Sequence, residues 1–133
     1  MVLQGNKTVT GDLSLLAGTV DLNGYTLTVQ GDLTQYDATY MKVGSGTLNV
    51  KGNVLQKSGF MMVDSGTLNV DGWYRIQDPD TAESGEAYGP SKGVLQMSHG
   101  DGRVNIKGDF VTQSTDNYIS LIIRFPERTA AST

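Results

Sequence analysis

The sequence lacks most of the residues on which reactive chemistry depends. It contains no cysteine, three prolines and one histidine among 133 residues. The absence of cysteine excludes disulfides, thiolate metal sites and thiol nucleophiles. With so few prolines and no glycine at every third position, a collagen helix and a proline-rich linker are excluded as well. A single histidine and no cysteine cannot assemble a transition-metal site, and His99 is predicted to lie in a surface turn.

Positive charge and long apolar runs are also scarce. The net charge is −4 at pH 7 and the isoelectric point is about 4.7. We therefore predict no binding to nucleic acid and no insertion into a membrane. No apolar run approaches the ~18 residues of a membrane span, and residues 1–5 do not form a signal peptide. The chain is expected to be either intracellular or a module of a longer exported protein.

Glycine, by contrast, is abundant and marks a repeat. Residues 66–72 read Gly-Thr-Leu-Asn-Val-Asp-Gly, residues 46–52 differ from them only by Lys for Asp, and looser copies occur at 24–31 and 102–108. The closing glycines are separated by 20, 21, 20 and 36 residues, and they are Gly11, Gly31, Gly52, Gly72 and Gly108. A period near 20 residues is typical of stacked solenoid coils. The last interval equals one coil plus an insertion at about 78–92, where Pro, Gly and acidic residues exclude a strand.

Three short alternating runs recur within each coil, and no apolar period of helical length is present. Alternation places Leu and Val inside and Thr, Asn, Lys or Gln outside. The sequence therefore predicts an all-β fold, a single-stranded parallel β-helix (β-solenoid) of five to six coils of about 20 residues. One domain is expected over 1–126, with a disordered tail at 127–133. Residues 119–126 are interpreted as a final strand that covers the end of the solenoid, with the start of a further coil as the alternative. Lys7 stands where later coils carry Leu27 and Leu48, so the first coil is atypical.

Residues 21–35, Asp-Leu-Asn-Gly-Tyr-Thr-Leu-Thr-Val-Gln-Gly-Asp-Leu-Thr-Gln, resemble degenerate repeats of very large bacterial surface or secreted proteins. Those repeats are similar to the β-solenoids of filamentous-haemagglutinin-type adhesins. The stretches 73–77, 93–97 and 108–112 resemble the same repeat type, so the likeness covers roughly residues 18–115. The resemblance implies a surface stalk, adhesin or toxin-carrier module, and it transfers no catalytic residue.

The insertion at 78–92 is the candidate binding element, because loops added to a regular scaffold often carry binding. Its acidic residues could coordinate calcium, but they lack the order of a known calcium loop, and a solvated loop is the simpler interpretation. Aromatic residues beside carboxylates suit sugar stacking, although Trp73 and Tyr74 could equally pack beneath the loop. The candidate ligand-binding residues are Trp73, Tyr74, Arg75, Asp78, Asp80 and Tyr88.

Several outward columns have both a structural and a functional interpretation. Asp12, Asp32 and Asp109 follow a closing glycine, where Asp usually bonds to backbone, although polysaccharide-degrading β-helices use acidic clusters. A column of Thr26, Thr47 and Thr67 and a second column of Thr28, Asn49 and Asn69 suit either a polar ladder or an ice-binding face. Four glutamines are interpreted as a further outward ladder, namely Gln35, Gln56, Gln77 and Gln113.

These patterns favour a non-catalytic structural or adhesive module, without cofactor or metal, in a bacterial cell-surface or secreted protein. The alternative is a carbohydrate-binding or polysaccharide-degrading protein with its site near 78–92, and ice binding is a weaker alternative. A surface glycan or a protein is the expected partner class. End-to-end or homo-oligomeric self-association is also considered, because open solenoid ends expose unpaired strands.

Overall fold

The computed structural model describes residues 1–97 and 101–113. Three predictions lie outside these residues: the turn at His99, the strand at 119–126 and the disordered tail at 127–133. The prediction of one domain over 1–126 stays a prediction.

Short strands follow one another along the described residues, each of three to six residues. They are β1 (Lys7–Val9), β2 (Leu13–Leu15), β3 (Gly18–Asp21), β4 (Thr26–Val29), β5 (Leu33–Gln35), β6 (Thr39–Gly44), β7 (Thr47–Val50), β8 (Val54–Gln56), β9 (Phe60–Val63), β10 (Thr67–Val70), β11 (Tyr74–Ile76), β12 (Val94–Met97), β13 (Arg103–Ile106) and β14 (Phe110–Thr112). A 3-10 turn at Pro79–Thr81 is the one helical element in the part of the chain that the structure describes.

The strands form three parallel sheets, and each full circuit of the chain contributes one strand to each sheet. The first sheet has the order β1-β4-β7-β10-β13, the second β14-β11-β8-β5-β2 and the third β12-β9-β6-β3. Neighbouring strands are one circuit apart and parallel, and residues paired on them lie 19 to 21 positions apart, or 34 or 36 where the insertion intervenes. Val2 bridges Asp21 in parallel, so residues 1–3 add a segment to the third sheet. The predicted parallel β-solenoid with one insertion is confirmed.

The interior consists of stacked columns of aliphatic side chains. In the first sheet, Leu27, Leu48 and Leu68 are in register, and each is at most 1% exposed. The neighbouring column is Val29, Val50, Val70 and Ile106, as predicted. Each fully buried side chain of this kind stabilises the fold by about 1.5–3 kcal/mol. The repeat is therefore held together by contacts between equivalent residues of successive circuits.

The glutamine ladder was predicted wrongly at two positions. Gln35 and Gln56 are in register on β5 and β8, but both point inward and are fully buried. The next residues of this column are Ile76 and Thr112, while Gln77 and Gln113 lie one position later. Alternation counted from Leu33 places Gln35 inward. The prediction of an outward position was wrong because it relied on the polarity of glutamine.

Buried hydrogen bonds compensate for the polar interior. Gln56 Nε2 donates to Gln35 Oε1 at 3.0 Å and to the Val94 carbonyl at 3.0 Å. The Tyr74 hydroxyl donates to Gln56 Oε1, and Gln35 Nε2 donates to the Phe60 carbonyl at 2.9 Å. Because buried amides are costly when unsatisfied, this network fixes which circuits lie next to one another.

The insertion leaves the second sheet after Ile76 and returns to the third sheet at Val94. Ser91, which is buried, donates through Oγ to the Gln56 carbonyl at 2.6 Å. Asp78 and Gly89 form an antiparallel bridge at the base of the loop. The loop therefore covers the corner between the second and third sheets.

Candidate functional site

One corner of the solenoid is built from glycine followed by an acceptor side chain. Asp12 Oδ1 accepts from Asp32 N, and Asp32 Oδ1 accepts from Asn53 N, both at 2.8 Å. Asn53 Oδ1 accepts from Trp73 N at the same distance. A Cβ at Gly31 would overlap the Asp12 carboxylate oxygen, which explains the pairing of glycine with Asp or Asn. These residues act as links between circuits, which supports their structural interpretation.

Trp73 interrupts this corner column, and the interruption lies beside the insertion. Alternation along β8, β11 and β14 turns three side chains of each circuit outward on the second sheet. We call this surface the loop-side face, and it consists of Asn53, Leu55, Lys57, Trp73, Arg75, Gln77, Asp109, Val111 and Gln113. Arg75 lies at its centre, in register with Leu55 and Val111.

The Arg75 guanidinium contacts two aromatic rings. Its carbon is 4.4 Å from the centre of the Trp73 ring and 5.6 Å from that of Tyr88, which belongs to the insertion. Such cation–π contacts stabilise by about 0.5–2 kcal/mol each, more where water is excluded. Arg75 Nε is buried without a hydrogen-bond partner. Among the described residues, Arg75 forms no ion pair.

The nearest loop carboxylates are engaged by a different cation. Lys57 Nζ is 2.7 Å from Asp80 Oδ2 and 4.0 Å from Asp78 Oδ1. The hydrogen bond from Lys57 to Asp80 raises the pKa of the lysine, against a smaller opposing effect of burial. Asp78 Oδ1 also accepts from the backbone N–H of Asp80 at 2.9 Å. Lys57 therefore fastens the loop to the solenoid, and sequence reasoning missed it because the partner lies one circuit away.

The structure separates the predicted site residues into three environments. Trp73, Arg75 and Tyr88 form one cluster on the loop-side face. Asp78 and Asp80 lie at the edge of that face against Lys57. Tyr74 points into the core, is fully buried and contacts the Phe110 ring at a centroid distance of 5.6 Å. Of the two alternatives for Tyr74, packing is therefore the one that the structure supports.

A cavity beside the third sheet was not anticipated from the sequence. Tyr40 and Phe60 stack on the outer face of the third sheet, with centroids 5.3 Å apart and ring planes 15° apart. They border a cavity of about 170 Å³ together with Asp37 and Lys92. In the sequence, both aromatic residues directly precede a methionine that points inward, and this alternation could have indicated that the two rings lie side by side on the outer face.

The outward amides of the first sheet form a ladder along the solenoid. Asn69 Nδ2 donates to Asn49 Oδ1, and Asn105 Nδ2 donates to Asn69 Oδ1, each at 2.9 Å. This geometry supports the interpretation of the column as a stacking device. Arg103 is in register with Thr67 and ends the adjacent threonine column.

Within residues 1–97 and 101–113, no three His, Asp or Glu side chains are grouped as they would be around a metal ion. None of the helical segments described is long and apolar enough to cross a membrane. The fold thus defines the class of protein as a parallel β-solenoid. Comparisons with protein-family models, with curated proteins and with solved structures find no match. The likeness to adhesin repeats consequently stays a prediction.

Proposed function

We propose that this chain is a non-catalytic structural or adhesive β-solenoid module of a bacterial cell-surface or secreted protein. The observation that supports this function most directly is the use of the repeat's polar groups. Asp12, Asp32 and Asn53 bond the next circuit through the corner, and Asn49 and Asn69 bond it through the first sheet. Side chains committed to stacking in this way make a stiff rod that presents its loops outward.

Protease treatment of intact source cells tests this function. An antibody against the loop at 78–92 would follow the chain by immunoblotting. We expect the loop epitope to be lost from intact cells, or to be found in the medium, while a cytoplasmic marker stays intact. An epitope that is cleaved only after cell lysis would contradict the proposal.

Carbohydrate binding at the loop-side face is a second candidate function, and one observation favours it. Arg75 contacts the Trp73 and Tyr88 rings and has no ion-pair partner among the described residues. Stacking of circuits does not require this cluster, because other circuits carry Asp or Asn at the position of Trp73 and Ser, Thr, Leu or Val at the position of Arg75.

A glycan array probed with the purified chain tests the second function. We expect binding that Trp73→Ala abolishes, with Tyr25→Ala, a change of an exposed aromatic residue on another part of the surface, as the control. An array without a signal, or a signal that Trp73→Ala leaves intact, would contradict carbohydrate binding at this face. The structural function would be unaffected by either result.

A further inference from the structure

The circuit that precedes the insertion departs from the repeat at two neighbouring outward positions. The first position carries Asp12, Asp32, Asn53 and Asp109 in the other circuits but Trp73 in this one. The second carries Ser14, Thr34, Leu55 and Val111 in the other circuits but Arg75 here. Because the other circuits stack without an aromatic and cationic pair, the fold does not explain these two side chains.

The contacts of Arg75 leave hydrogen-bonding capacity unused. Its guanidinium carbon contacts the Trp73 and Tyr88 rings, and its Nε–H is buried with no acceptor. An unsatisfied buried donor costs about 1–3 kcal/mol, and more if it is charged. An arriving oxygen acceptor that pairs with this edge would recover that free energy. The edge of a guanidinium matches the two oxygens of a carboxylate.

The surrounding charges favour one kind of anion. Lys57 engages the nearby Asp78 and Asp80, so the positive charge of Arg75 is not cancelled by a direct ion pair. The chain as a whole carries a net charge of −4, and Glu83 and Glu86 are exposed on the loop. A densely charged acidic peptide would therefore be repelled, whereas a single carboxylate in a mostly neutral ligand would not.

The polar groups beside Arg75 suit hydroxyls. Gln77 Nε2 donates to Gln113 Oε1 at 2.6 Å, and both amides are accessible to solvent. Side-chain amides can donate to and accept from sugar hydroxyls at the same time. We propose that the loop-side face binds an acidic saccharide, with Arg75 pairing with the carboxylate of a single uronate unit while Gln77 and Gln113 contact neighbouring hydroxyls. This inference rests on the carbohydrate-binding function proposed above.

Binding requires a local rearrangement, because the Nε edge of Arg75 is covered in the structure. The Tyr88 ring comes from the insertion and lies farther from the guanidinium than the Trp73 ring does. We expect Tyr88 to move aside when the ligand carboxylate approaches Arg75, while the strand that carries Arg75 and Trp73 stays in place. Trp73 is the only tryptophan of the chain, so its fluorescence reports on this site alone.

The test compares two saccharides that differ only in the carboxylate. One is xylotriose bearing a single glucuronate, and the other is the same compound with its carboxyl group reduced to the alcohol. Titration of the purified chain is followed by Trp73 emission and by isothermal titration calorimetry. We expect saturable binding of the acid, weakened by added salt, and at least about tenfold weaker binding of the reduced compound.

Variants assign the effect to Arg75. Arg75→Gln should weaken binding of the acid by at least about tenfold, and Arg75→Lys should recover only part of the loss because ammonium lacks the planar fork. Lys107→Gln removes an exposed positive charge that pairs with Asp71 at 3.4 Å, and it should leave the affinity within about twofold. Circular dichroism and thermal unfolding of each variant establish that the fold is retained.

The possible outcomes separate this inference from the function on which it rests. Equal affinity for the acid and the reduced compound would overturn the carboxylate inference and leave carbohydrate binding in place. No binding of either saccharide would overturn the inference, and a blank glycan array beside it would overturn carbohydrate binding as well. Binding of poly-glutamate through Arg75 in place of the saccharide would identify an acidic peptide as the ligand and overturn the inference.

Discussion

At the scale of single residues, a few buried polar side chains order an interior that is otherwise apolar. Gln56 donates to Gln35 and to the Val94 carbonyl, and it accepts from the Tyr74 hydroxyl. Three circuits are thereby joined through one side chain. The apolar columns, in contrast, would tolerate exchange of one aliphatic residue for another. Gln56 therefore contributes to the alignment of circuits that hydrophobic burial alone leaves open.

Gln56→Leu should lower the free energy of unfolding by roughly 2–4 kcal/mol, since it leaves several buried polar groups without partners. Urea denaturation followed by circular dichroism measures this change. Gln30→Leu alters an exposed glutamine and should change stability by less than about 0.5 kcal/mol. Equal effects of the two substitutions would show that the buried network does not stabilise the fold.

Tyr74 should make stability depend on alkaline pH. Burial raises the pKa of its hydroxyl well above the usual value of 10.0. Below that value the tyrosine is protonated in both the folded and the unfolded chain, and its contribution to stability is complete. Above it only the unfolded chain releases the proton, so stability falls by up to about 1.4 kcal/mol per pH unit until the folded pKa is reached.

Tyr74→Phe should therefore be less stable at pH 7, by about 1–2 kcal/mol for the lost hydrogen bond to Gln56, yet show a flatter decline above pH about 10. Urea denaturation at a series of pH values measures both effects. Tyr40→Phe, at an exposed ring, serves as the control and should retain the wild-type slope. Parallel declines for wild type and Tyr74→Phe would contradict the assignment.

At the scale of elements, the corners at Asp12, Asp32 and Asn53 join neighbouring circuits through hydrogen bonds from a side chain to the backbone. The carboxylate of Asp32 occupies the space that a Cβ on Gly52 would need, and it accepts from Asn53 N. The glycine leaves the space that the acceptor side chain of the preceding circuit occupies, so the two residues are needed together. This corner keeps successive circuits in register, because a displacement by one residue would remove both the space at the glycine and the hydrogen bond to the next circuit.

Asp32→Ala should lower the free energy of unfolding by about 1 kcal/mol, because the Asn53 N–H loses its protein acceptor. Asp32→Asn should cost less than half of that, since Asn53 itself performs the same task one circuit later. Chemical denaturation of the three proteins in parallel gives the comparison. If the Asn variant proved as unstable as the Ala variant, the negative charge and not the hydrogen bond would be responsible.

At the scale of the whole molecule, the ends of the solenoid need protection. β1 and β2 are the outermost strands of their sheets, whereas residues 1–3 cover part of the edge of β3. Lys7 is exposed and in register with the buried Leu27. A charge in the core column disfavours the stacking of another molecule on this end, since burying an ammonium costs several kcal/mol.

Lys7→Leu should therefore promote self-association through the first circuit. Sedimentation velocity over a range of protein concentrations should show larger species for this variant, and Lys7→Glu, which keeps a charge in the column, should sediment as wild type does. Identical sedimentation of all three proteins would contradict a protective function for Lys7.

The sequence by itself determined the winding of the chain. Closing glycines near every 20 residues and the alternation of Leu and Val with polar residues fix the strands, their faces and the vertical register of Leu27, Leu48 and Leu68, since a one-residue displacement would expose the whole apolar set. The same pattern located the insertion. The sequence also indicated the residues of the candidate site, but it did not determine which of them lie together in space.

Only the tertiary structure decided how the inward polar residues are satisfied and which charges pair. Gln35 and Gln56 are accommodated inside because neighbouring circuits supply their hydrogen-bond partners, and Lys57 meets Asp80 because the insertion folds back over the circuit below. The same fold of the insertion brings Tyr88 to Arg75, so Arg75 contacts aromatic rings while Lys57 pairs with the carboxylate. These contacts join residues that are distant along the chain, and no local pattern encodes a contact between positions that the winding brings together.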